Sequence, residues 1–197
     1  MNFPIKKENW QLGYDLDFFV DSMQSHRLDM LRRLRTVHLS EGEISLLVNL
    51  DRPIHALVMS EDWCVDSLMN LPILVRIAQS APQMDLRIFV RHEWGELDAY
   101  FKERAITNIP VFLFLDANFN EIGVWVEKSK AAGERLAAWV SEHPVYESIR
   151  TSAELSREEK RSRLAPFLAE RQLEMEDWYN NGLQTTAVAE IAALLRK

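Results

Sequence analysis

The spacing of apolar and polar residues along this chain changes repeatedly, and each change marks an element. Ile54-His55-Ala56-Leu57-Val58-Met59 is an almost unbroken apolar run, the pattern of a buried strand. Helical periodicity over Leu68 to Ser80 then predicts a helix spanning 63–80, stopped by Ala81-Pro82. Asp85 to Arg91 alternates and reads as the next strand, and Leu97 to Arg104 as a helix. Strands are expected at 111–115 and 121–126, followed by a helix over 130–142.

Helices dominate the two ends. Asp15 or Asp17 can cap a first helix with an apolar stripe of Leu16, Phe19, Val20, Met23, Leu28, Leu31 and Leu34. A short helix from Glu41 to Leu50 is expected, with Ser40 as N-cap, Glu43 closing a capping box and Arg52-Pro53 ending it. His143-Pro144 reads as a boundary. Beyond it, Ser156-Arg157-Glu158-Glu159 opens a helix running to about Tyr179, with Pro166 as a kink. Asn180-Asn181-Gly182 is a C-cap signal, and a last helix covers Thr185 to Leu195. Three segments result: an N-terminal helical extension (1–53), an α/β core (54–143) and a C-terminal helical extension (144–197). Phe167, Leu168, Met175 and Trp178 supply the last segment's apolar face, for core packing or for a homodimer.

Composition narrows the classes. With 47% hydrophobic residues in 197, the chain can bury a sizeable core. The net charge of −7 is concentrated in residues 54–150, which carry 14 acids against 9 bases. There is no basic stripe for nucleic acid or an anionic membrane, and Arg32, Arg33 and Arg35 read as a solvated helix face. No segment has transmembrane length or a signal-peptide pattern. One cysteine excludes an internal disulfide, so a reducing cytoplasm is the expected location. Histidines 26, 38, 55, 92 and 143 lack metal-ligand spacing, and six glycines form no phosphate loop. Neither metal nor cofactor is expected.

The candidate chemistry centres on that cysteine, in Trp63-Cys64-Val65-Asp66-Ser67. Cys64 falls where a strand hands over to a helix, and the unpaired N–H groups and dipole there favour a thiolate. A lone cysteine is also a small hydrophobe that packs well in a core. Pro72 lies inside the helical pattern, and Thr107-Asn108-Ile109-Pro110 leads directly into the strand at 111–115. Ile109-Pro110 is a candidate cis bond.

Trp63, Cys64, Pro72 and Pro110, taken in order, resemble the thioredoxin family, whose hallmark is Trp-Cys-x-x-Cys at a strand–helix junction followed by a kinking proline and a later cis-proline. The likeness runs from Ile54 to Glu142. It implies a thioredoxin-like α/β fold, a central mixed sheet flanked by helices, here with extra helices at both ends. The Asp-Ser ending and the flanking segments are similar to a bacterial branch of the family. The resemblance makes Cys64 the nucleophile, has Ser67 donate a hydrogen bond to its thiolate, and makes Trp63, Ile109 and Pro110 the substrate-binding residues. Asp66 either complements the helix dipole or relays a proton.

Five positions depart from the family pattern. Ser67 stands in place of the resolving cysteine, and Val58 in place of a buried acid. Val65-Asp66 replaces Gly-Pro, and Val126 aligns with a groove-shaping glycine. Glu61, Asp62 and Asp66 crowd the thiol with negative charge, opposing the helix terminus. Two functions stay open. One is a monothiol oxidoreductase that attacks a protein disulfide, or reacts with a low-molecular-weight thiol, and is resolved by an external thiol. The other is a non-catalytic binding module that retains the fold.

Overall fold

The computed structural model describes residues 2–48, 50 and 52–196. Among them, four strands form one mixed sheet: β1 (Ile54–Ser60), β2 (Met84–Val90), β3 (Val111–Leu115) and β4 (Glu121–Val126), in the order β2-β1-β3-β4. β1 runs parallel to β2, and Val58 lies opposite Ile88. β1 pairs antiparallel with β3, and β3 with β4. β1 and β3 are central, and the unbroken apolar runs that predicted them are buried at nearly every position.

The helices are α1 (Leu16–Ser22), α2 (Arg27–Thr36), α3 (Glu41–Ser45), α4 (Val65–Ser80), α5 (Gly95–Glu103), α6 (Lys130–Glu142), α7 (Pro144–Thr151), α8 (Arg157–Trp178) and α9 (Gln184–Leu195). The chain divides into two compact units. One comprises residues 1–128 with 187–197, the other 129–186.

In the first unit the expected N-terminal extension shares a core with the sheet. Ile5 and Trp10 are buried against Leu57, Phe89 and Leu113. Trp10 Nε1 also donates to Asp85 at 2.6 Å, which anchors the segment to β2. Gly13 is required here: a Cβ at this position would lie 2.6 Å from the Phe89 ring. In the same unit α9 covers β4. Trp125 Nε1 donates to Glu190 at 2.8 Å, and a Cβ at Gly123 would meet Leu194 at 3.0 Å.

The single N-terminal helix expected from the Leu16–Leu34 stripe is two helices. Asp15 caps α1, but the chain turns at Met23 and restarts from His26, whose φ of 55° is left-handed. That turn rotates the stripe. Met30 and Arg33 face inward, while Leu28 is exposed. Arg33 is therefore not on a solvated face. It is 1% exposed and donates to the Met69 carbonyl of α4 at 3.4 Å.

α3 carries the predicted capping box, with Ser40 and Glu43 each bonded to the other's backbone, but ends at Ser45. Asn49, within the longer helix expected there, lies outside the described residues. Ser40→Ala should lower stability by about 1 kcal/mol. Chemical denaturation of wild type and variant at one pH measures the difference.

The second unit is helical. Ser129 caps α6 through the Ala132 amide, and Trp139, near the C-terminal end of that helix, is fully buried. His143-Pro144 does not end the helical region: Pro144 occupies the first turn of α7, a position that needs no amide donor. α8 begins with the predicted Ser156–Glu159 capping box. At Gly182 (φ 126°) the chain takes the left-handed conformation expected of the Asn-Asn-Gly signal.

Candidate active site around Cys64

β1 ends at Ser60, and Glu61-Asp62-Trp63 carries the chain to Cys64, the N-cap of α4. The Cys64 amide donates to the Glu61 carbonyl at 3.2 Å, which closes this turn. Pro72 sits inside α4, where it has no amide to complete the helical ladder. The Ile109-Pro110 peptide is cis. It places the Ile109 carbonyl beside the thiol, and Cys64 Sγ donates to it at 3.4 Å. Trp63 is 57% exposed and flanks the cysteine on the solvent side.

The thiol itself is buried, 8% exposed, despite its place at a helix terminus. Burial pushes its pKa above the ordinary thiol range, and the Asp66 carboxylate adds to the rise. The Ser67 hydroxyl, the Ser67 amide and the Asp66 amide all act in the opposite direction by hydrogen bonding to sulfur, but desolvation is larger. The Ile109 carbonyl accepts only from the protonated thiol, so that contact also favours the neutral form.

Ser67 is fully buried and accepts from Ser60 Oγ at 2.8 Å. With its oxygen engaged by Ser60, the Ser67 hydroxyl proton is directed to the sulfur. The order Ser60–Ser67–Cys64–Ile109 is a short polar chain through an apolar region that also contains Leu57, Val111 and Leu113.

The neighbouring acids are largely engaged elsewhere. Asp62 accepts from the Gln24 and Ser25 amides at 2.7 and 2.9 Å and ties the α1–α2 turn to the site. Glu61, 5% exposed, accepts from the His92 amide and ring Nδ1. That carboxylate raises the His92 pKa. Phe19, Gln24, Asp62, Val90 and His92 line a cleft next to Trp63. Asp66 pairs with Lys128 Nζ at 3.3 Å, and Lys128 also pairs with Glu127.

Glu127 holds the cis-proline loop. Its amide donates to the Pro110 carbonyl at 2.7 Å, and its carboxylate accepts from Asn108 at 2.7 Å. Asn70, buried in α4, donates to the Asp66 and Glu127 carbonyls. Glu127 has a φ of 64°, so the left-handed position that favours glycine falls here, one residue past Val126.

A thioredoxin family model matches residues 13–141. The chain belongs to the thioredoxin family. Two solved structures cover almost its whole length. A Pseudomonas aeruginosa protein of unknown function superposes with a TM-score of 0.64 at 21% identity, covering 96% of this chain and 95% of its own. An HIV epitope-scaffold gives 0.63 at 19% identity, with 96% of both chains covered. A Fasciola hepatica thioredoxin gives 0.34 at 16% identity, over 50% of this chain and 88% of its own. No curated protein sequence matches. At these identities the likenesses describe the fold.

In this thioredoxin-family chain, the structure brings Cys64, Asp66, Ser67, Ile109 and Pro110 together, with Trp63 at the rim. Sequence reasoning missed Ser60, Asn70, Glu127 and Lys128. Their partners lie up to 62 residues away in sequence, as for Lys128 and Asp66, and nothing local marks such pairs. Among the described residues no helix is long and apolar enough to cross a membrane.

Proposed function

We propose that the protein carries out single-thiol exchange: Cys64 attacks a disulfide presented along Ile109-Pro110, and a thiol from solution completes the cycle. The observation that supports this best is the 3.4 Å contact between Cys64 Sγ and the Ile109 carbonyl, because nucleophile and docking edge then coincide. An extended segment pairing at that edge would use backbone hydrogen bonds, with Trp63 packing over it. The thiolate forms a bond to one sulfur of the disulfide, the S–S bond breaks, and the second sulfur leaves and takes up a proton. The external thiol then bonds to the partner's sulfur, and Cys64 leaves and is reprotonated. The products are one freed thiol and a mixed disulfide between the partner and the external thiol, and Cys64 is regenerated.

The second reading is a binding module using the same edge without turnover. Burial of the thiol and its raised pKa favour it.

The pH profile of Cys64 toward an aromatic disulfide tests both. Exchange predicts a single adduct per chain, formed more slowly at pH 7 than with an exposed thiol. The rate should rise about tenfold per pH unit until the thiol titrates. Ser67→Ala removes a hydrogen bond that stabilises the thiolate, so it should slow the reaction at fixed pH and shift the profile to higher pH. The stability of the fold should follow the same group. A thiol whose pKa is raised by folding stabilises the native state while protonated. That contribution is complete below the free thiol's pKa and is lost as pH climbs through the folded value. No adduct at any pH below unfolding would leave the binding module as the function.

A further inference from the structure

The second compact unit holds a group of side chains that the thiol chemistry does not use. His143, Glu170 and Glu174 each present one ligand atom, and these atoms all lie within 4.8 Å of one another. We propose that they form a divalent transition-metal site, with zinc the cation that fits best.

The placement follows from local structure. Glu170 and Glu174 are one turn apart on the same face of α8. His143 is the junction residue between α6 and α7, and its ring stacks on Trp139 with centroids 4.0 Å apart and planes at 19°. The sequence offered no metal-ligand spacing because the imidazole and the carboxylates come from different helices.

The imidazole is oriented as a ligand. His143 Nδ1 lies 2.7 Å from the Trp139 carbonyl, an acceptor only, so Nδ1 carries the proton. That leaves the lone pair on Nε2, the arrangement by which a backbone carbonyl orients metal-binding histidines. Glu174 is oriented too: its Oε1 accepts from Trp139 Nε1 at 3.0 Å, leaving Oε2. The fully buried Trp139 thus holds two of the three ligands from one side chain and its own carbonyl.

Arg135 is the competing cation. Its Nη2 is 3.8 Å from Glu174 Oε2, beyond hydrogen-bond distance. It also lies 3.5 Å from Glu142, and its guanidinium sits over the Trp178 ring at 4.4 Å. Arg135 therefore keeps two contacts if an ion replaces it at Glu174.

One nitrogen and carboxylate oxygens at bonding distances of about 2.0–2.2 Å suit zinc, with water in the remaining position. Calcium needs six to eight oxygens, and magnesium, an oxygen-seeking ion that keeps several waters, gains nothing from the imidazole nitrogen. A bound ion would fasten the α6–α7 junction to α8 within this unit.

Isothermal titration of the full-length, tag-free, chelator-treated protein with zinc chloride tests the site. We expect one zinc per chain and a rise in melting temperature with zinc concentration. Glu170 is exposed, so Glu170→Gln should melt at the wild-type temperature without metal and bind zinc at least about tenfold more weakly. His143→Asn should weaken binding as well, and Cys64→Ser should bind like wild type. Magnesium at the same concentration should give no saturable heat. The proposal is overturned by absent or non-stoichiometric zinc binding, by wild-type affinity in Glu170→Gln, or by loss of binding in Cys64→Ser.

Discussion

Ser67→Cys should give this protein an insulin-reducing activity, with a thiol reductant present, at least about tenfold above wild type, because an internal resolving thiol replaces a collision with an external one. Position 67 is in the first turn of α4, three residues after the N-cap Cys64, and its hydroxyl already bonds to the sulfur. A sulfur there inherits that proximity. Ser67 is buried on the inner side, so the new thiol would reach the mixed disulfide from the protein side while the partner lies along Ile109-Pro110. Ser60, which donates to Ser67 now, can donate to the attacking thiolate at position 67. Turbidity from precipitating insulin chains, followed for wild type, Ser67→Cys and the double variant with Cys64→Ser, measures the effect. A lack of gain in Ser67→Cys would put the limit elsewhere. Val58, buried opposite Phe112 on β1, offers no proton-transferring group at the place where many family members hold an acid.

Local pattern accounts for what could be read from the sequence. The strands at 111–115 and 121–126 and the helix at 130–142 coincide with β3, β4 and α6, because the apolar pattern that marks each is set within a few residues. Both capping boxes are where Ser-x-x-Glu placed them. Ile109-Pro110, opening β3, was legible as a cis candidate from its junction with an apolar run.

What was not legible depends on packing between distant segments. Arg33 looks like a surface cation in sequence, and only the turn at Met23–His26 shows that its helix presents it to α4. The exposure of Cys64 depends on the approach of Ile109, 45 residues later. Glu61 and Asp62 suggested repulsion at the thiol. They are instead bonded to His92 and to the α1–α2 turn, and Asp66 is the acid that acts on the sulfur.

That distinction yields the second large effect. Lys128→Met should destabilise the protein by about 2–3 kcal/mol and also slow Cys64. The Lys128 side chain is 9% exposed and pairs with both Asp66 and Glu127. Methionine keeps most of the apolar stem, so packing changes little, but the two carboxylates lose the cation between them. Removing one partner from a fully buried pair costs about 3–5 kcal/mol. Asp66 and Glu127 retain 19% and 30% side-chain exposure, so water screens part of the loss and the lower figure is expected. The functional consequence has the same sign. Without Lys128, the field of Asp66 on Cys64 is less compensated, the thiol pKa rises further, and the exchange rate at pH 7–8 falls. Glu127 also holds the cis-proline loop through Pro110 and Asn108, so weakening its position loosens the edge where a partner would dock. Two measurements on one variant separate these effects: urea denaturation gives the stability, and the pH profile of adduct formation gives the thiol pKa. A destabilised variant with an unshifted profile would confine Lys128 to holding the fold. A shift to higher pH, reversed by adding Asp66→Asn, would show that the Lys128–Asp66 pair sets the charge around the thiol.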